Sequence, residues 1–332
     1  MTLNQYHTGD FLTNQLPDKA AKLIIADPPY FEVKGEFDFA WESFDHYLAD
    51  VEKWARECKR LLADNGTLFW WGNSKKIAYS QIILDRYFNL ENSLLWRKID
   101  SMQYQYYSPD AARVFCTHNE RLLMYSNEKD GHEEAELNNS YKLGTLHTEI
   151  MEELVAYFIG EMIAAGLTCA KINQLTRTKM ASHWFSRSSQ WMLPTRDYYA
   201  ILQSIFGPQH LTRDFDELRG VYDRLRVKYD DLRRYFFNPG KLEEVLEFSQ
   251  ESHKSKKYKH DTIKPEGLTT ALIQVTTKPG DLVFIPFGGS GTEGAVAVKE
   301  NRPFIGYDIN PTHVADANKR VKIAQQQQTL IL

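Results

Sequence analysis

Apolar positions in the first part of the chain alternate between two periods. Lys22-Leu-Ile-Ile-Ala-Asp27 is a short continuous apolar run closed by an acid, which predicts a buried strand over 22–27. Phe44, Leu48, Val51, Trp54, Leu61 and Leu62 mostly recur at helical spacing and predict a helix over 44–63. Asp64-Asn65-Gly66 predicts a turn, and Thr67–Trp71 a second buried strand. A helix over about 74–86 and strands over 92–97 and 120–126 follow. Strands that alternate with helices imply a mostly parallel sheet covered on both faces.

The pattern then changes. Residues 128–140 are polar and acidic, as in a linker, and 147–250 are periodic in the helical sense with no convincing strand. A basic loop occupies 253–261. From 265 the alternation resumes, with a helix to about 277, a Lys-Pro-Gly-Asp turn, a strand over 282–287, a glycine loop, a helix over 292–301, a strand over 303–308 and a helix from Pro311. The expected architecture is one α/β domain, a doubly wound and mostly parallel sheet, built from 1–128 and 255–332. A helical domain over 140–250 is inserted in it. No internal repeat is visible.

Composition narrows the class. A chain of 332 residues can bury a full α/β core and a second, smaller domain. Aromatic residues at 13% suit base stacking, although an aromatic-rich core is the commoner cause. The net charge of -4 hides an asymmetry: 171–259 carries 17 Lys and Arg against 11 Asp and Glu, the remainder 23 against 33. A basic segment in an acidic protein points to a local polyanion surface or to a solvated helical face. Cys58, Cys116 and Cys169 are too far apart for a zinc site or a disulfide framework and suit a reducing compartment. No metal is expected. No apolar run approaches about 18 residues and no signal peptide is visible, so a cytoplasmic protein without a membrane partner is expected.

Two motifs carry chemistry. Gly289, Gly291 and Gly294 fit G-x-G-x-x-G between a strand and a helix, where positive φ and a helix N-terminus let a ligand approach the backbone. Asp308 ends the next strand, where a carboxylate can accept both ribose hydroxyls. No Lys-Ser or Lys-Thr follows, so the loop is not a P-loop, and NAD and S-adenosylmethionine both remain open. Asp27-Pro28-Pro29-Tyr30 favours the second. The Asp27 carboxylate and the Pro28 carbonyl offer two acceptors to an exocyclic amino group, on a turn whose prolines have fixed φ. Tyr30 offers a flat face to a base.

With these motifs the chain resembles the permuted DNA amino-methyltransferases, in which a D-P-P-Y motif precedes a central recognition segment and a C-terminal F-x-G-x-G loop. Further matches are His260-Asp-Thr-Ile-Lys264-Pro265, Gly9-Asp10-Phe11 and His118-Asn-Glu-Arg-Leu-Leu-Met-Tyr125. Two departures stand out. Ile285-Pro286-Phe287 replaces a frequent Asp-Pro-Phe, which removes a carboxylate that could help hold the cofactor's amino group and leaves more of that role to Asp27, and Asp261 replaces a proline.

The resemblance implies S-adenosylmethionine as cofactor, double-stranded DNA as partner, and direct transfer to N6 of a flipped-out adenine. Alternatives are N4 of cytosine, an RNA or protein substrate, or a DNA-binding protein without catalysis. It implies Asp27, Pro28, Pro29 and Tyr30 as catalytic residues. The cofactor contacts it implies are Asp10, Phe11, Asp27, Lys264, Phe287, Gly289, Ser290, Gly291, Thr292 and Asp308. A bacterial or phage origin is expected, and a homodimer and a partner restriction nuclease stay open. In the insert, Leu167–Leu175 and Met180–Gln190 around a Thr-Arg-Thr-Lys turn resemble a helix-turn-helix. Arg177, Lys179, Ser182, His183, Arg187, Ser188 and Gln190 are then candidate DNA contacts, with Trp184 and Phe185 packed inside. Lys254, Lys256 and Lys257 are candidates for phosphate.

Overall fold

The N-terminal segment forms β1 (Gln5–Thr8), a 3-10 turn (Phe11–Thr13), β2 (Ala21–Ala26), α1 (Phe44–Leu61), β3 (Leu62–Gly72), α2 (Ile77–Leu84), β4 (Asn89–Lys98) and β5 (Asn119–Ser126). Helices α3 (Asn139–Ala164), α4 (Cys169–Thr176), α5 (Ala181–Trp184), α6 (Arg196–Phe206) and α7 (Phe215–Leu232) follow. The chain then adds β6 (Val245–Phe248), α8 (Glu266–Thr276), β7 (Val283–Ile285), α9 (Thr292–Lys299), β8 (Phe304–Asp308) and α10 (Pro311–Thr329). These elements come from a computed structural model that describes residues 2–33, 40–100, 110, 113, 115, 119–127, 139–251 and 263–329, with backbone only at 139–145 and 329. Lys254, Lys256, Lys257, His260, Asp261, Cys116 and His118 lie outside the described residues.

The chain divides into two compact units, Met1–Lys129 with Arg234–Leu332, and Asp130–Arg233. In the first, the strands form one sheet in the order β1-β8-β7-β2-β3-β5-β4-β6. Every neighbouring pair is parallel except β3/β5 and β4/β5. β2 shows why the sheet is doubly wound. Successive side chains of a strand point to opposite faces, and Ile24 and Ala26 join Val51, Trp54, Leu61 and Leu84 in one core, under α1 and α2. Leu23 and Ile25 join Leu268, Ile273, Val296 and Val321 in a second core, under α8, α9 and α10. Both faces are therefore covered, which is why β2 reads as a continuous apolar run. The start of α1 is set by Ser43, whose hydroxyl accepts from the His46 N–H at 3.2 Å.

Three features differ from the sequence expectation. Residues 245–248 form a parallel strand against β4, with Leu95 opposite Val245, where only helix was expected. The segment is four residues long and buries only Leu246, so its apolar signal is too short to stand out. Asp64-Asn65-Gly66 does not turn the chain but lies within β3, as an irregularity in its register with β2. β1 is an edge strand that alternation alone did not mark.

The second unit is helical and has its own core of Met151, Leu154, Phe158, Ile172, Trp184, Trp191, Tyr199, Leu202 and Leu218. Trp184 and Phe185 are buried in it, as their apolar character implies. Among the described residues no single helix is long and apolar enough to cross a membrane. Among them, too, no group of three His, Cys, Asp or Glu is placed to hold a metal ion.

Candidate active site

Parallel pairing of β2, β7 and β8 places their C-terminal ends along one edge of the sheet. Asp27 directly follows β2, Phe287–Gly291 follow β7, and Asp308 ends β8. In an open α/β sheet that edge is where ligands bind.

Asp27 sits in a buried network of charges. Its Oδ2 lies 2.9 Å from Lys264 Nζ, and its Oδ1 accepts the Tyr30 hydroxyl at 2.6 Å. Lys264 Nζ also donates to Glu120 Oε2 at 2.9 Å, while Lys98 Nζ donates to Glu120 Oε1 at 2.7 Å. Lys264 is 3% exposed and its ammonium lies 4.7 Å from the centre of the Trp71 ring. Burial alone would strip a proton from Lys264, but Asp27 and Glu120 outweigh it and hold the ammonium well above the ordinary lysine range. Burial would likewise push Glu120 up, yet Lys264 and Lys98 bring its carboxyl down to about 2. The four charges balance, which is the condition for keeping them out of water.

Tyr30 is engaged through its hydroxyl, and its ring packs against the core beneath the sheet edge. Burial, followed by the charges of Asp27 and Glu120, raises its phenol well above the ordinary value. Phe31 is buried against Phe44, Tyr47 and the Lys76 ammonium and so belongs to the core.

The glycine loop is held from several sides. The Gly289 N–H donates to Asp308 Oδ2 at 2.8 Å, and the Asn310 N–H to Oδ1 at 2.8 Å. Each carboxylate oxygen keeps a lone pair for a further donor. Gly291 (φ 73°) precedes α9 with no side-chain cap. The Gly294 N–H donates to the Tyr6 hydroxyl at 2.9 Å and the Glu293 N–H faces its own carboxylate, so the Thr292 N–H is the one at the start of α9 that is open to a ligand among the described residues. An added Cβ on Gly291 would lie 2.6 Å from the Ala317 Cβ, and on Gly294 2.6 Å from Phe304. Gly294 therefore serves close helix–strand packing. Ser290 is within 3.0 Å of the Thr292 hydroxyl, which accepts from Arg320 at 2.6 Å. Thr292 is fully buried, so its side chain supports the loop from behind.

The Asp10–Phe11 element meets this loop. The Gly9 N–H donates to the Asp308 carbonyl at 2.9 Å, and the Phe11 ring packs edge-on to Phe287 at 5.3 Å. Asp10 is exposed, and its carboxylate caps the 3-10 turn by accepting from the Leu12 N–H at 2.9 Å. A backbone anion cradle, an anchored carboxylate and a buried lysine suit a ligand with a ribose and an amino acid moiety, so the residues present fit S-adenosylmethionine.

A DNA methylase family model, that of the N6/N4 amino-methyltransferases, matches residues 21–319. The chain belongs to this family of DNA methylases. Its relatives include the type II methyltransferase M1.MboII of Moraxella bovis, 26% identical over 333 residues that cover 95% of this chain and 94% of that protein. The DNA adenine methyltransferase YhdJ of Escherichia coli (strain K12) is 43% identical over 65 residues, 20% of this chain and 22% of that protein. The solved PvuII cytosine-N4-specific DNA methyltransferase superposes with a TM-score of 0.50 at 14% identity, over 97% of this chain and 91% of its own. That likeness speaks for the fold. As a member of the family, the methylase uses S-adenosylmethionine.

In the helical unit of this methylase, Arg177 ends α4 in the left-handed region (φ 55°). Arg177, Lys179 and Ser182 are exposed, whereas His183 and Ser188 are half-buried. The expected second helix is short, α5 spanning four residues. Beyond it, Arg187 pairs with Glu152 at 2.7 Å, and the exposed Gln190 accepts through its backbone carbonyl from His183 Nδ1 at 3.3 Å. On α7, Arg219 and Arg226 pair with acids four residues on, which makes this a solvated, charge-paired face. Arg234 departs from the expected helical run and pairs in the sheet unit with Glu91 at 3.2 Å. Sequence reading missed Glu120, Lys98 and Glu293. Glu120 lay in a matched segment, but its partners are remote in sequence.

Proposed function

We propose that this methylase modifies N6 of adenine at a specific site in duplex DNA, by base flipping and direct in-line transfer. The observation that carries this reading is Asp27 at the end of β2, its carboxylate oriented by Lys264 and Tyr30. An exocyclic amino nitrogen is a weak nucleophile because its lone pair is delocalised into the ring. Accepting its two hydrogens, at Asp27 and the Pro28 carbonyl, favours a pyramidal nitrogen with the lone pair freed for attack. The contribution is orientation and electrostatics. S-adenosylmethionine supplies the methyl group on a cationic sulfur. Asp27 also offers an acceptor for the proton that the nitrogen gives up.

Tyr30 supplies a stacking face for the flipped base, and Pro29 stiffens the turn that carries it. Asp308 takes the ribose hydroxyls, Gly289, Ser290 and Gly291 the amino acid end, and Phe287 with Asp10–Phe11 the adenine side. Adenine rather than cytosine is favoured by the acid in first place of the motif and by the local similarity to a DNA adenine methyltransferase. Arg177, Lys179 and Ser182 on the helical unit are the exposed candidates for reading or holding DNA.

Incubating duplex DNA with tritiated S-adenosylmethionine and digesting it to nucleosides tests this. Label in N6-methyladenine is expected from the wild type, with at least a ~1000-fold loss in Asp27→Ala. Label in N4-methylcytosine would overturn the base assignment, and equal incorporation by Asp27→Ala the mechanism.

A further inference from the structure

Glu293 is the second residue of α9, immediately beyond the glycine loop, and is 6% exposed. Among the described residues its carboxylate has no ion pair and no side-chain hydrogen bond, only its own backbone N–H. The charged and titratable groups around it come from four elements: Tyr6 of β1, Asp27 after β2, Lys264 before α8 and Arg320 of α10. Arg320 is held by Glu266 at 2.8 Å and Thr292 at 2.6 Å, and Lys264 is shared by Asp27 and Glu120. Asp27, Glu120, Lys98 and Lys264 neutralise one another, which leaves Glu293 a buried acid with no counter-charge of its own among the described residues. Burial, with a further push from Asp27, raises its carboxyl to about 7. A buried acid without a cation costs stability, and a glutamine would fill the same volume without that cost.

The loss at β7 gives this residue a task. Ile285 stands where the methylases that this chain resembles frequently carry a carboxylate, and the loop from β7 leads straight to Glu293. We propose that Glu293 receives the α-amino group of S-adenosylmethionine, replacing the carboxylate that Ile285 lacks. The ligand's carboxylate then lies at the Thr292 N–H that opens α9, and its ammonium meets Glu293 beside Asp27. Glu293 is a positioning residue: it fixes the amino acid arm and hence the direction of the sulfonium. Binding turns the Glu293 carboxylic acid into a carboxylate facing the ammonium, and the displaced proton goes to solvent.

The inference rests on S-adenosylmethionine occupying the glycine loop, and the test separates the two. Calorimetric titration of the full chain uses S-adenosylhomocysteine, which keeps the amino acid arm, and 5′-methylthioadenosine, which lacks it. Glu293→Gln is expected to weaken S-adenosylhomocysteine by about 10- to 100-fold and 5′-methylthioadenosine by less than about 2-fold. At about pH 6.5, just below the value near 7 at which Glu293 titrates, wild type should release about half a proton or more on binding S-adenosylhomocysteine. That release is read from two buffers of different ionisation enthalpy, and Glu293→Gln should abolish it. Equal losses for both ligands, no loss for either, or no proton release by wild type would overturn the role of Glu293. Failure of wild type to bind either ligand would instead overturn the cofactor placement.

Discussion

Asp27 and Lys264 stand out in the sequence through their motifs, but the contacts between them and Glu120 do not. Glu120 lies 144 residues from Lys264 and reads locally as a polar start to an apolar strand. Folding sets it between two lysines and makes it the counter-charge that lets Lys264 stay buried and ionised. Glu120→Gln would leave two ammonium groups facing each other, with an expected loss of about 3 kcal/mol at neutral pH. The folded carboxyl titrates at about 2 against an ordinary 4.5. Its contribution is therefore complete above the ordinary value and is lost as pH falls toward about 2. Urea denaturation of wild type and Glu120→Gln at about pH 7 and about pH 3 should show the difference shrinking at the lower pH. A constant difference would mean that the variant perturbs packing instead of charge.

At the scale of elements, the long periodic segments were legible and the short edge ones were not. β2 announces itself as an apolar run because both its faces are covered, whereas β6 contributes one buried side chain and takes its strand form from pairing with β4. The glycines show the same division. Gly289 and Gly291 have positive φ (45° and 73°), consistent with a ligand loop, but Gly294 does not, and its missing side chain makes room for Tyr6 and Phe304. Gly294→Ala should therefore cost about 1–3 kcal/mol by overpacking. Thermal unfolding should register that loss, and the folded variant should keep its affinity for S-adenosylhomocysteine within about 3-fold. A loss of affinity without a loss of stability would assign Gly294 to the ligand.

At the scale of the whole molecule, the candidate active site and the candidate DNA contacts of the helix-turn-helix segment belong to different units, each with its own core. The basic insert seen in the charge count is only partly free for DNA. Arg187 and the α7 arginines Arg219 and Arg226 are paired with acids, whereas Arg177 and Lys179 are exposed. If the helical unit holds phosphate through these two, Arg177→Ala and Lys179→Ala should each weaken DNA binding and lower its salt slope by about 1. S-adenosylhomocysteine affinity should stay unchanged. An unaltered salt slope in both would place the DNA surface elsewhere.

Local chemistry made several features readable from the chain alone: a doubly wound sheet, a helical insert, an acid-proline-proline-aromatic turn at a strand end and a glycine loop before a helix. Each rests on period, φ preference or donor and acceptor type, which are properties of adjacent residues. Tertiary structure decided what depends on remote partners. It joined Asp27, Glu120, Lys98 and Lys264 into one neutral cluster, turned residues 245–248 into a strand, sent Thr292 and Gly294 to packing, and left Glu293 buried without an ion pair among the described residues. Burial and charge balance belong to the whole fold, and no window of sequence contains them.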